Sequence, residues 1–370
     1  MSLGIMGLSA VFAQAAGAHK KVIQGNYFSG KTTDADPEIQ ISCIGEIKIE
    51  SIKNGETVIE YYSDLTETVV SIQADANSLI KVSGDVTEIK LKSYGPPFGS
   101  ANWNELTLND DALKSFDCTG CSGLTSLDLS NSVLLESLSI GYCSGLTSLD
   151  LSNNTELKSL ICDSCSGLTE LDLSHNTKLT HLNCNACGSL TALDLSNNTE
   201  LIRCLCQSMG QEMALASITI PQDSQLTDLT LSGCSNLTSL DLSNSVLLES
   251  LTINSCSGLT SLDLSNNTEL KSLGCGSCSG LTELDLSHNT KLTSINIFEC
   301  DNLVSFNCTG CTAILMIQYG ATNEDVSTAV AGAITAADAA DGTVYTDSAG
   351  AYYSTIATAA TTKGWTIEQV

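Results

Sequence analysis

Positive charge is the scarcest commodity in this 370-residue chain: 15 Lys and Arg stand against 42 Asp and Glu, for a formal net charge of −27. Such a surface repels a phosphate backbone, so nucleic acid is excluded as a partner. Long hydrophobic runs are also missing. No apolar stretch reaches the ~18 to 20 residues that a membrane helix needs, so no membrane span is expected. Aromatic residues make up 5% and histidines number four, too few for stacking platforms or a histidine-based catalytic inventory. What is present is apolar bulk, 42% of residues against 15% charged, which excludes disorder and supplies a large core. Seventeen cysteines are also present, an odd number that cannot all pair within one chain.

Residues 1–18 form a short apolar stretch ending in small residues, with Ala13-Gln14-Ala15 and Ala16-Gly17-Ala18 matching the A-x-A form of a cleavage site. This reads as a signal remnant and points to a secreted or cell-surface protein.

The dominant feature is a repeat. The block opening at Leu124 restarts at Leu146, Leu168 and Leu190, then at Leu237, Leu259 and Leu281, a period of 22. The 47 residues from Leu190 to Leu237 resolve into a turn with three extra residues near Met209 to Ala214 and an ordinary turn from Leu215, giving eight full turns through Asn302. Counting Leu124 as position 1, apolar residues fall at 1, 4, 6, 12, 15 and 17, so each turn is two LxxLxL halves and each half predicts one short strand. Alternation along a strand sends positions 4 and 6 inward and position 5 to solvent. Stacked turns bury the leucines in a continuous column that no single turn could form.

The motif LxxLxLxxN, in the form LTxLDLSxNTxLxxLxC, resembles the leucine-rich repeats of secreted or surface-exposed proteins of Bacteroidetes and some Gram-positive bacteria. The resemblance covers about 240 residues and implies a right-handed parallel-β solenoid with 22-residue turns that binds other macromolecules. The second half is itself strand-like and carries cysteine where asparagine is usual, so a flatter turn with a sheet on each side is expected. The domain reading is a signal remnant at 1–18, an N-terminal β cap or small β domain at 22–79 with Asn54-Gly55 as a hairpin turn, the solenoid at 80–320, and a C-terminal α/β cap at 321–370. Caps are required because a bare terminal turn exposes leucines and unpaired strand edges. In that last segment 323–339 and 354–363 read as helices, with GTVYT and the final TIEQ as strands.

Fifteen cysteines read as two columns. Position 17 holds Cys118, Cys162, Cys184, Cys206, Cys275 and Cys308; position 20 holds Cys121, Cys143, Cys165, Cys187, Cys234, Cys256, Cys278, Cys300 and Cys311. The spacing of Cys162-x2-Cys165 and Cys184-x2-Cys187 would suit zinc, and neighbouring turns lie close enough for disulfides. Ile140, Leu231, Ile253 and Ile297 fill position 17 in other turns, which favours structural thiols packed in the core. Zinc and disulfides stay open as alternatives, and no resident cofactor is read.

Position 5 forms an acidic ladder, Asp128, Asp150, Asp172, Asp194, Asp241, Asp263 and Asp285, interrupted by Thr219. Position 7 beside it is serine in seven of eight turns, and its hydroxyls can donate to the carboxylates. The ladder is the candidate binding site, for a basic or host-derived protein or for Ca²⁺; the alternative is a solvated coat. Asparagines at position 9 (Asn154, Asn176, Asn198, Asn267, Asn289) are expected to satisfy backbone groups of adjacent turns. Cys143 to Thr180 matches Cys256 to Thr293 except at Ile161/Gly274 and Asp163/Gly276, a duplication offset by 113 residues. No nucleophile elbow, zinc-protease, P-loop or dinucleotide motif occurs, so no enzyme is read. The function expected is protein interaction or adhesion, with a carbohydrate or cell-wall binder or a passive spacer as the alternative.

Overall fold

The computed structural model describes strand backbone between residues 27 and 109, and backbone with side chains over 113–208, 213–314, 316–318, 326–338, 342–346 and 354–368. The signal-remnant stretch 1–18 and the residues Asn54 and Gly55 lie outside these.

Eight strands precede the repeats: β1 (Tyr27–Thr32), β2 (Glu38–Cys43), β3 (Glu46–Lys53), β4 (Glu56–Ser63), β5 (Thr68–Ser71), β6 (Ser78–Ser83), β7 (Val86–Lys92) and β8 (Trp103–Asn109). β3 and β4 pair antiparallel out to Lys53↔Glu56. One antiparallel sheet runs β4-β3-β6-β1-β8, and β8 then pairs parallel with Ser126–Asp128. The other runs β5-β2-β7, and β7 pairs parallel with Ser115–Asp117. The N-terminal strands thereby continue both sides of the solenoid.

The repeats form a parallel β-solenoid. The second half of every turn contributes one strand to a sheet that, with β7, β2 and β5 at one end and Thr343–Thr346 and Thr366–Gln369 at the other, reaches 15 strands. Its register is in phase with the repeat: Leu138 pairs with Leu160, Leu160 with Leu182, Leu229 with Leu251 and Leu251 with Leu273. The three extra residues are absorbed between Leu205 and Asp228, because Arg203 still pairs with Asp228 and Cys204 with Leu229.

The first halves behave differently from the expected second sheet. Their strands occur as isolated parallel pairs, Ala192–Asp194 with Ser217–Thr219 and Glu283–Asp285 with Ser305–Asn307, plus Ser126–Asp128 on β8. The aspartate at position 5 is common to paired and unpaired first halves alike. Its Oδ1 captures the N–H two residues on and bends the chain into an Asx turn as the strand ends. The second half instead carries its ladder past the strand, as in Ile140 N–H to Ile161 O at 2.7 Å and Tyr142 N–H to Asp163 O at 2.7 Å.

Leucines at positions 1, 4, 6, 12 and 15 are buried along the whole stack, as are all sixteen described cysteines. At the C-terminal end, helix α1 (Glu324–Ala336) and helix α2 (Tyr353–Lys363) alternate with strands Thr343–Thr346 and Thr366–Gln369, which extend the long sheet in parallel. Val326, Val330 and Ile334 of α1 and Ile356 and Ala360 of α2 are buried with Trp365 over the last turns. Gly342 is obligatory beside Trp365: a Cβ there would meet the Trp365 ring at 2.3 Å.

Cys308 and Cys311 are placed differently from the sequence reading. Ser305–Asn307 pairs with Glu283–Asp285 on the aspartate side, so Cys308 stands at position 6 and Cys311 at position 9. The Cys311 thiol donates to Leu286 O at 3.2 Å and Asn289 O at 3.6 Å, replacing the next ladder asparagine.

Candidate functional site

Two bends per turn must satisfy backbone carbonyls that the strands leave unpaired, and each bend has its own donor column. At position 9 the amide Nδ2 donates twice into the preceding turn: Asn176 reaches Leu151 O at 3.1 Å and Asn154 O at 2.9 Å, and Asn198, Asn267 and Asn289 repeat the pattern. At position 20 the thiols do the corresponding work. Cys165 donates to Ile140 O at 2.9 Å, Cys187 to Cys162 O, Cys256 to Leu231 O, Cys278 to Ile253 O and Cys300 to Cys275 O, each at 3.0 Å. Sequence reasoning assigned these cysteines to packing and missed the S–H donor; the shared spacing of three residues after the last inward side chain was the available signal.

Burial pushes the Cys278 thiol up to about 12 and raises that of Cys204 as well. Cys187 and Cys300 are held below the ordinary value because Cys162 and Cys275 donate hydrogen bonds to them. Of the zinc-like set, Cys165, Cys184 and Cys187 donate to carbonyl oxygens, and among the described residues no group of three or more His, Cys, Asp or Glu converges as a metal site. A thiol-specific reagent should leave the sixteen described cysteines unmodified in the folded chain and titrate them after denaturation. Fast labelling of one of them in native buffer, located by peptide mapping, would contradict this packing.

The acidic ladder lies on the other side of the turn. Asp128, Asp150, Asp172, Asp194, Asp241, Asp263 and Asp285 are all exposed. In each, Oδ1 accepts the N–H of the serine two residues on, at 2.8 to 3.0 Å. The serine's hydroxyl and N–H hold the carboxyls of Asp150, Asp241 and Asp263 below the ordinary range. The same groups, N–H first, lower Asp172 and Asp285. These favourable contacts outweigh repulsion such as that of Asp172 on Asp150. Asp150, Asp172, Asp241, Asp263 and Asp285 are thus ionised at neutral pH, and one oxygen of every ladder carboxylate is engaged in its own turn.

His175 and His288 lie on this side, their Nδ1 atoms 3.1 and 3.3 Å from the Oγ of Ser174 and Ser287. Beside the second, a shallow open depression of about 270 Å³ is lined by Ser261, Asp263, Ser265, Glu283, Asp285 and His288. His181 is on the long-sheet side, in register with Arg203, whose guanidinium is 3.8 Å from Asp228.

The cations explain the electrostatics. Residues 103–312 contain 24 acidic and 6 basic side chains, and all six bases are used between turns. Lys114 and Lys158 flank Glu136, Lys178 pairs with Glu156, Arg203 with Asp228, Lys271 with Glu249 and Lys291 with Glu269. Among the described residues none of these cations is paired with the aspartate ladder.

No protein-family model and no curated protein matches the chain. Among solved structures it is similar to the functional domain of InlJ from Listeria monocytogenes, described as including a cysteine ladder, with 26% identity over 64% of this chain and a TM-score of 0.40. The match spans 56% of that domain, little more than half its length. It is also similar to an internalin, InlF, from Listeria monocytogenes, with 17% identity over 72% of this chain and 86% of that one and a TM-score of 0.31.

Proposed function

We propose that this chain is a non-catalytic interaction or adhesion module, secreted or displayed at a cell surface, that engages a basic region of another protein through the aspartate side of its solenoid. The observation that carries this reading is the missing counter-charge. Six solenoid cations are committed to inter-turn pairs, while seven exposed aspartates stand in one row. Carboxylates ~5 Å apart in water repel by about 1 kcal/mol per pair. A partner bearing Lys or Arg relieves that repulsion and is steered to the row at long range.

The Asx turns favour a second reading. Each aspartate already shapes its own bend, which is sufficient reason for its presence in a passive spacer or a carbohydrate-binding coat. Replacing Asp150, Asp172 and Asp194 together by Asn separates the two, because an amide oxygen can still accept the serine N–H and keep the turn. The full chain and this variant should be measured against a protein array and a glycan array. Protein partners of the wild type are expected to associate several-fold more slowly with the variant and to lose their salt dependence, with dissociation little changed. Unaltered association would remove the acidic row from function, and binding confined to glycans would favour the second reading.

A further inference from the structure

The internal duplication is longer than its invariant core. Residues 124–180 and 237–293 match at 52 of 57 positions, and the five differences are Ser139/Thr252, Gly141/Asn254, Tyr142/Ser255, Ile161/Gly274 and Asp163/Gly276. All five fall at repeat positions 16, 18 and 19, which account for only six of the 57. Position 16 ends each strand of the long sheet, and 18 and 19 form the bend that follows. Exposure alone does not explain this. Thr125, Ser126, Asp128, Ser130, Asn131, Val133 and Leu134 are all exposed, and every one is unchanged in the second copy. Change has been confined to one edge of one face.

The first copy bears unfavourable chemistry there. Position 19 has positive φ in both copies, 61° at Tyr142 and 60° at Ser255, and glycine occupies it at Gly120 and Gly233. An aromatic residue at this φ is disfavoured, and strain of this kind collects at functional sites. Tyr142 is 46% exposed, and Ile161 on the adjacent turn is 38% exposed. The Asp163 carboxylate leans over Gly141, so close that a Cβ on that glycine would lie 2.6 Å from Oδ1. Half-buried there, Asp163 has its carboxyl pushed up by burial and makes no ion pair among the described residues. The second copy is self-satisfied instead: Asn254 Oδ1 accepts the Gly276 N–H at 2.8 Å, and Gly274 and Gly276 leave the edge flat.

We propose that Tyr142, Ile161 and Asp163 form a recognition patch for a polypeptide segment that lays an apolar side chain against Tyr142 and Ile161 and a Lys or Arg beside Asp163, and that the second copy lacks this specificity. The inference rests on the chain being an interaction module, but it places selection on the long-sheet edge and leaves long-range steering to the aspartate row. An aromatic and an aliphatic side chain beside an uncompensated carboxylate is the kind of mixed centre that dominates interface energies.

The molecule supplies its own control. Ser139→Thr, Gly141→Asn, Tyr142→Ser, Ile161→Gly and Asp163→Gly together turn the first copy into the second, whose residues already pack on an identical core. A random peptide library displayed on phage, selected on the immobilised full chain, is the probe. Enriched peptides should place an aromatic or aliphatic residue next to Lys or Arg and lose about tenfold or more in affinity on the five-fold variant. The reverse exchange, Thr252→Ser, Asn254→Gly, Ser255→Tyr, Gly274→Ile and Gly276→Asp, should raise the stoichiometry from one to two. Peptides that bind the five-fold variant as well as the wild type but fail on the Asp150, Asp172, Asp194 variant overturn this patch and leave the proposed function standing. No enrichment of any peptide overturns both.

Discussion

Asn176→Asp should destabilise the folded chain by about 4 kcal/mol or more at neutral pH. Asn176 is completely buried, and its Nδ2 donates to both Leu151 O and Asn154 O. A carboxylate in the same place offers no donor and sets negative charge against two carbonyl oxygens. Leu151 O keeps the Asn154 N–H and Asn154 O keeps the Leu157 N–H, so each loses only its second donor, and the buried charge set against the two oxygens carries most of the cost. The charge also fixes the pH dependence. Burial raises the introduced carboxyl above its unfolded value near 4, so the penalty is absent below that value and grows as pH rises through the folded one. Urea unfolding at pH 7 and at pH 4.5, read as the difference from wild type, should therefore show the deficit shrinking in acid.

The molecule also names the tolerated replacement. Cys311 already occupies this column and reaches Leu286 O and Asn289 O through its thiol, so Asn176→Cys should cost only about 1 to 2 kcal/mol, a weaker donor in place of a stronger one. The Oδ1 atoms of the five ladder asparagines have no partner among the described residues, which is why a donor-only side chain suffices. If Asn176→Cys proved as damaging as Asn176→Asp, the column would depend on that oxygen.

Most of this architecture was legible because a 22-residue period fixes the inward positions wherever it is counted, and the burial of Leu138, Leu160 and Cys162 follows from the count alone. The near-identity of the two halves defeated the rest. A CxxC step three residues after an inward site looks the same in either half, so Cys308 and Cys311 read as members of the thiol columns although Leu303, 22 residues after Leu281, opens a first half. The same symmetry concealed which half would build the continuous sheet. The acidic row was visible as spacing; its want of counter-charge was not, because pairing between Lys158 and Glu136 or Lys271 and Glu249 depends on stacking of residues 22 apart.

Leu182→Ala should cost about 3 to 5 kcal/mol and divide unfolding into two transitions. Leu182 is 1% exposed and pairs in register with Leu160 on one side and Cys204 on the other. Cys204 is the smallest residue in a column otherwise filled by Leu, Ile and Phe116, and its turn also carries the three-residue insertion. Truncation at Leu182 thus sets a second small side chain next to Cys204, so that two adjacent turns lack a large inward residue at this position. Each turn touches only the next, so stability is a sum of nearest-neighbour terms and a weak turn uncouples the two ends. Tryptophans at 103 and 365 mark those ends. Denaturant titrations of Trp103→Phe and Trp365→Phe chains, each followed by its remaining tryptophan, should coincide in the parent background and separate when Leu182→Ala is added. Leu251→Ala, between Leu229 and Leu273, removes the same atoms from a filled stretch and should cost less, about 2 to 3 kcal/mol, with the two ends still unfolding together. Equal losses at Leu182 and Leu251, with coincident transitions in both, would mean that the insertion turn is as strongly coupled as the rest of the stack.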